Sequence, residues 1–241
     1  MRTSRLFVEQ DLPLGSDVTL HARAAHYLSQ VLRLRSGDAV VLFNGDGNDV
    51  AAELLVCSKR ECIARLGRVI RSESPPLLRI HLAIGISRGE RMDYAIQKSV
   101  ELGVSSITPL ITERSVVQLK GERKDQRLSH WRAVVIGACE QCGRAAPPEV
   151  SPPVAITGWL PSSGGGILLY HRSGTRLPSL APPGAEIRLL VGPEGGLSDS
   201  ERVLAEDSGF VAVRMGPRVL RTETAPIAAL AAIQALWGDF R

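Results

Sequence analysis

From residue 79 onward, short apolar runs alternate with longer amphipathic ones, and no other feature of the sequence constrains the fold as strongly. RIHLAIGI (79–86), SSITPLI (105–111), GILLYHR (166–172), EIRLLV (186–191) and FVAV (210–213) read as strands. Between them, GERMDYAIQKSVELG (89–103) and DQRLSHWRAVVIGACEQC (125–142) read as helices. In the first of these, Met92, Ala95, Ile96, Ser99, Val100 and Leu102 form one face, and Gly103 suits the C-terminal cap. A third helix starts at Ser198 or Asp199 and stops at Ser208-Gly209; a fourth starts between Thr222 and Pro226 and runs to about Trp237. Such alternation predicts an α/β fold with a mostly parallel sheet. In that class ligands sit beyond the carboxyl ends of the strands.

Residues 1–72 follow a different pattern. DAVVLFNGDGNDVAAELLV (38–56) reads as two strands around an Asn/Gly/Asp turn, ECIARLGRVI (61–70) as a third strand, and HARAAHYLSQVLRLR (21–35) as one amphipathic helix. A small barrel capped by a helix fits this pattern. The Pro-containing RSESPPLL (71–78) marks a boundary, which divides the chain into a domain at 1–72 and a second at 73–241. GWLPSSGGG (158–166) and APPGA (181–185) read as surface turns.

Several function classes drop out early. The apolar part of the N-terminus, Leu6-Phe7-Val8, is too short for a secretory leader, and APIAALAAIQALW (225–237) is too short for a membrane span, so a cytoplasmic location is expected. Cys139-Glu140-Gln141-Cys142 has the C-x-x-C spacing, but no His or Cys pair completes a ligand set, so no metal is expected. No Walker loop, dinucleotide fingerprint or G-x-S-x-G is present, and His130 and His171 read as surface or structural residues. The net charge of +4 permits a nucleic-acid partner, while 4% aromatic content argues against base stacking as the main binding device.

Two strand-end loops remain. LVGPEGGL (190–197) places three glycines and a proline after an apolar strand, with Glu194 among them. Little side-chain bulk there suits a flat heterocycle held by backbone groups, although a tight strand–helix connection explains the pentapeptide alone. RMGPRVLRTETA (214–225) follows the next strand, with Arg218 and Arg221 around Val219-Leu220. Thr222 or Thr224 would cap the last helix, with Glu223 favouring its positive end. Two arginines three apart in that loop read as recognition of phosphate or of developing negative charge.

Together, LLVGPEGGLSDSE (189–201) and MGPRVLRTETAPIAAL (215–230) closely resemble the C-terminal signature of the RsmE family, bacterial ribosomal RNA methyltransferases of the SPOUT superfamily. QKSVELGVSSITPLITERS (97–115), EQCGR (140–144) with PPEV (147–150), RLFVE (5–9) and H-x-x-x-x-VLRLRSGD (26–38) are similar to the same family, so the resemblance covers essentially the whole chain. Met215 stands where leucine is usual in the family, and Cys142 where a small residue such as serine is common. The resemblance implies a PUA-like β-barrel for RNA, followed by an α/β domain with a deep trefoil knot. It also implies a homodimer and S-adenosylmethionine as cofactor, held by Leu169, Tyr170, Gly192, Pro193, Glu194, Gly195, Gly196, Met215, Gly216, Val219 and Leu220.

The reaction implied is methylation of N3 of one uridine in small-subunit (16S) ribosomal RNA. On that reading Arg221 stabilises the negative charge of the uracil, and Glu223 is the weaker candidate for accepting the N3 proton. RNA contacts are expected from Arg88, Arg91, Lys98, Arg114 and Arg144, with Arg5 and Arg33 in the barrel. Two alternatives stay open: a SPOUT methyltransferase acting on another RNA position, and a non-catalytic RNA-binding ribosome assembly factor.

Overall fold

The computed structural model describes residues 3–115 and 121–240. It divides into two compact units, Met1–Pro75 with Cys139–Pro147, and Pro76–Ala138 with Pro148–Arg241. The first unit therefore draws on two separate stretches of chain.

Five strands form the first unit: β1 (Ser4–Phe7), β2 (Asp17–Leu20), β3 (Ala39–Phe43), β4 (Asn48–Cys57) and β5 (Cys62–Ser72). Their order is β1-β3-β4-β5-β2, with β1 parallel to β3 and every other pair antiparallel. Among the described residues the edge strands β1 and β2 do not pair with each other, so the small barrel expected takes the form of a curled half-barrel. The turn after β3 forms because Gly45 and Gly47 take φ of 98° and 89°, which residues with a Cβ avoid. Helix α1 (Ala22–His26) is shorter than the run expected at 21–35 and passes into a wider-wound π turn over Tyr27–Val31. Leu6, Val8, Leu28, Leu42, Leu54 and Leu66 lie in the core of this unit.

Two of the expected RNA contacts are committed to internal bonds here. Arg5 is half-buried on β1: Nη2 donates to Asp49 Oδ1 at 2.6 Å and Nη1 to the Cys139 carbonyl at 2.7 Å. Asp49, 4% exposed, also accepts from Arg71 Nε at 2.8 Å. Arg5 thus fastens Cys139–Pro147 to the half-barrel through its guanidinium. Arg144 points its Nε to Glu73 Oε1 at 3.5 Å, while Glu73 Oε2 accepts the Ala146 N–H at 2.9 Å. Glu140 accepts the Phe7 N–H at 3.1 Å; burial pushes its carboxyl above the usual carboxylate value, and that hydrogen bond partly offsets the rise. Cys139 is buried, which pushes its thiol up to about 12.

The second unit is built on a parallel sheet. Its strands are β6 (Arg79–Gly85), β7 (Ser106–Ile111), β8 (Glu149–Val150), β9 (Val154–Ala155), β10 (Gly166–Leu169), β11 (Glu186–Val191) and β12 (Phe210–Val213). The order is β12-β10-β11-β6-β7-β8, with β9 also on β7, and every pair is parallel. Helices α2 (Gly89–Glu101), α3 (Glu122–Cys142), α4 (Ile156–Ser163), α5 (Asp199–Asp207) and α6 (Thr224–Trp237) accompany it. The stretch at 158–166, expected as a surface turn, is mostly α4, which forms despite Pro161 because Ile156, Leu160 and Ser163 are buried. Among the described residues no helix is long and apolar enough to cross a membrane.

Candidate active site

Parallel pairing puts the carboxyl ends of β6, β7, β10, β11 and β12 on one side of the sheet. The loops that leave β10, β11 and β12 line a cavity of about 660 Å3 there. That falls within the roughly 300–1,000 Å3 of small-molecule sites. The two strand-end loops singled out in the sequence share this crevice with the loop after β10.

The 192–197 loop turns so tightly that a Cβ on Gly192 would lie 3.1 Å from the Leu197 nitrogen. It also lies directly against the end of β6, where Gly85 leaves room for Pro193. The chain then enters α5 through a capping box: Ser198 Oγ accepts the Glu201 N–H and Glu201 Oε2 accepts the Ser198 N–H. Glu194 Oε1 accepts the Arg88 N–H at 3.0 Å and lies 3.6 Å from Arg91 Nη1. Its other oxygen, Oε2, is buried with no hydrogen-bond partner, and a buried carboxylate oxygen left bare calls for a donor from a bound molecule.

The 214–222 loop is fastened to the first by a hydroxyl. Thr222 is 8% exposed, and its Oγ1 donates to the Gly192 carbonyl at 3.1 Å and lies 3.2 Å from Ser87 Oγ. The helix-capping role expected for Thr222 or Thr224 is not adopted: Glu223 occupies the cap with helical φ/ψ and makes no side-chain cap bond. Replacing Thr222 by valine keeps the shape and leaves the Gly192 carbonyl without its donor. A buried acceptor stripped in this way costs about 1–3 kcal/mol. In a chain of this size that lowers the melting midpoint by about 2–12 °C. Thr222→Ser should retain the midpoint, and thermal denaturation of the two variants checks both outcomes.

Leu169, Tyr170, Gly192, Pro193, Glu194, Gly195, Gly196, Met215, Val219 and Leu220 line the cavity, as does Arg221. Gly216 does not; it lies in a neighbouring apolar groove with Pro217 and Leu236. Glu223 is not at the cavity wall either, and its Oε2 is buried without a partner. Arg91 and Arg114 stand at the cavity, while Arg88 reaches Glu194 through its backbone alone. Lys98 pairs with Glu101 at 2.8 Å along α2, which holds its ammonium above the usual lysine value. Arg33 is exposed in the first unit, with φ of 56°, and it is the described non-glycine residue that takes the left-handed conformation.

His171, Arg172, Arg202 and Arg214 also line the cavity and were missed. Arg202 lies 5.5 Å over the Tyr170 ring and pairs with Glu206 at 2.8 Å. Three of the four directly follow β10 or β12, so position at a strand end was the available signal. In all, seven arginines line the cavity against two carboxylates, Glu194 and Asp199. Such a field draws in polyanions. Among the described residues no group of three or more His, Cys, Asp or Glu is placed to hold a metal ion.

Comparison with known proteins agrees with this architecture. A family model described as an RNA methyltransferase domain matches residues 73–234, and one described as an RNA methyltransferase PUA domain matches residues 21–67. The ribosomal RNA small subunit methyltransferase E of Buchnera aphidicola subsp. Schizaphis graminum is 36% identical over 99% of this chain and 98% of its own. That of Mycobacterium tuberculosis is 34% identical over 96% and 91%. The crystal structure of the ribosomal RNA small subunit methyltransferase E of Neisseria gonorrhoeae bound to S-adenosyl methionine matches with a TM-score of 0.95 and 40% identity over the whole of both chains. With both parts of the chain matched by family models and its whole length by relatives more than 30% identical, the chain belongs to the ribosomal RNA small subunit methyltransferase E family.

Proposed function

We propose that this chain methylates N3 of a uridine in small-subunit (16S) ribosomal RNA, with S-adenosylmethionine as the methyl donor. The observation that carries this reading is the cavity at the ends of β10, β11 and β12, where a glycine loop free of bulk meets Arg218 and Arg221. Its volume, its apolar lining by Leu168, Leu169, Val191, Leu197 and Leu220, and the bare Glu194 Oε2 fit the cofactor. When bound, S-adenosylmethionine supplies a methyl group activated by a positively charged sulfur. Leu169, Tyr170, the 192–196 loop, Met215, Val219 and Leu220 would hold it, and the Glu194 carboxylate suits its amino group.

Arg221 is exposed at the cavity wall, where its guanidinium stabilises the charge that spreads over O2, N3 and O4 when uracil loses its N3 proton. Glu223 lies off the cavity wall, so the N3 proton leaves to bulk water rather than to its carboxylate. Arg91, Arg114 and the other cavity arginines favour the RNA backbone, while Arg33 offers a contact from the half-barrel. The knot belongs to this reading and is supported by the return of the 214–222 loop to Gly192. So does the homodimer, supported by an apolar groove of about 470 Å3 lined by Leu177, Pro178, Pro217, Ala232 and Leu236. A cytoplasmic location follows from a ribosomal substrate.

Transfer of labelled methyl from S-adenosylmethionine to small ribosomal subunits lacking the modification, followed by nucleoside analysis, tests the reading. Label in 3-methyluridine supports it, and label in another nucleoside rejects the target while keeping the methyltransferase. Absence of label with subunit binding intact favours the assembly-factor alternative.

A further inference from the structure

Glu201 sits in the first turn of α5 and is 5% exposed. Its Oε2 accepts the Ser198 N–H at 2.9 Å, as a capping box requires. Its Oε1 accepts the Glu113 N–H at 2.7 Å, from the turn that follows β7. Capping explains the first bond and not the second, which reaches across 88 residues. The turn it grips is also closed from within: Thr112 N–H donates to Ser115 Oγ at 3.1 Å, and Ser115 N–H to the Thr112 carbonyl at 3.1 Å.

The residue set by this turn is Arg114. Its Nη1 donates to the Gly195 carbonyl at 3.3 Å, and a Cβ on Gly195 would lie 3.0 Å from the Arg114 Cβ. Arg114 is exposed and lines the cavity. One buried carboxylate thus fixes the backbone beside an arginine at the cavity, with charge-assisted bonds on both of its oxygens.

We propose that Glu201 is a positioning residue for RNA: through the Glu113 N–H it holds Arg114 against the glycine loop, where the guanidinium grips a phosphate of the RNA. The inference rests on the function proposed above. It makes an unusual prediction of sign. Removing a carboxylate should strengthen binding to a polyanion if charge alone mattered. Removing this one should weaken it.

The test measures binding of unmethylated small ribosomal subunits, across a salt series and without cofactor, by the full-length chain and its variants. Glu201→Gln keeps the size and turns an N–H₂ toward one of the two backbone donors. It should weaken binding about three- to tenfold and lower the steepness of the salt dependence by about one released counterion, and Arg114→Ala should do the same. In the Arg114→Ala background Glu201→Gln should add less than about twofold, because the two act as one unit. In each variant affinity for the subunit should fall more than affinity for S-adenosylmethionine, whereas general loosening of the loop would lower both alike. Ser115→Ala loosens the same turn from its other end and should reproduce the effect if Glu201→Gln fails to fold. Unchanged or tighter RNA binding overturns the proposal, as do losses that multiply across the two substitutions. Wild-type chain that binds subunits but transfers no methyl overturns the proposed function instead.

Discussion

Gly85→Ala is expected to abolish cofactor binding and to lower the melting midpoint by more than about 10 °C. A Cβ at Gly85 would lie 2.4 Å from Pro193 Cδ, 2.5 Å from the Pro193 nitrogen and 3.0 Å from the Gly192 carbonyl carbon. Two of these three atoms are main chain, so no rotamer change relieves the overlap. The strand cannot shift either, because Ile84, the residue before Gly85, pairs in register with Val191, the residue before the glycine loop. Overpacking against movable side chains costs about 1–3 kcal/mol; here the main chain of the site must itself give way. Gly137→Ala serves as the control. Gly137 lies inside α3 with nothing within 4 Å of an added Cβ. Alanine there should raise stability by about 0.5–1 kcal/mol. Calorimetry of the two variants, with S-adenosylmethionine titration of each, reads opposite signs if the close approach at Gly85 is as tight as it stands.

Arg221→Ala is expected to reduce methyl transfer by at least about 100-fold, the scale seen when a donor to developing negative charge is removed. Cofactor affinity should stay within a few-fold and the melting midpoint should hardly move, because Arg221 is exposed. The loss should appear in the maximal rate rather than in the RNA concentration needed. Arg221→Lys keeps the charge without the planar fork and should recover only part of the activity. Single-turnover kinetics on ribosomal subunits measures these quantities together, and near-normal transfer by the alanine variant would remove Arg221 from the proposed chemistry.

Much of this architecture was legible in the sequence because its signals are local. Strand and helix periods set the order of elements, and the carboxyl ends of parallel strands mark the side of the sheet where the cavity lies. What stayed hidden depends on contacts between distant residues. An arginine on a short strand looks the same whether it faces RNA or, like Arg5, ends on Asp49 and the Cys139 carbonyl. Thr222 carries the signature of a helix cap, yet its hydroxyl serves Gly192, 30 residues earlier. Glu201 looks fully explained by its capping box, and its second bond is invisible until β7 lies beside α5. Helix α4 was missed because Gly158 and Pro161 are local breakers, and burial of Ile156 and Leu160 outweighs them.

The division of the first unit between two stretches of chain bears on the order of events during synthesis. The half-barrel strands end at Ser72, but the carbonyls of Cys139 and Arg144 that Arg5 engages, and the Ala146 N–H that Glu73 accepts, come much later. At about 5–20 residues per second, the ribosome needs roughly 4–15 s more to reach Pro147 after Pro75. During that interval the nascent half-barrel holds Asp49 and Arg5 without their full set of partners. It completes its polar cluster only after β6, α2, β7 and α3 have also been made. A fragment ending at the Pro-rich boundary would remain in that waiting state, so the N-terminal unit matures as a late product of translation although it is encoded first.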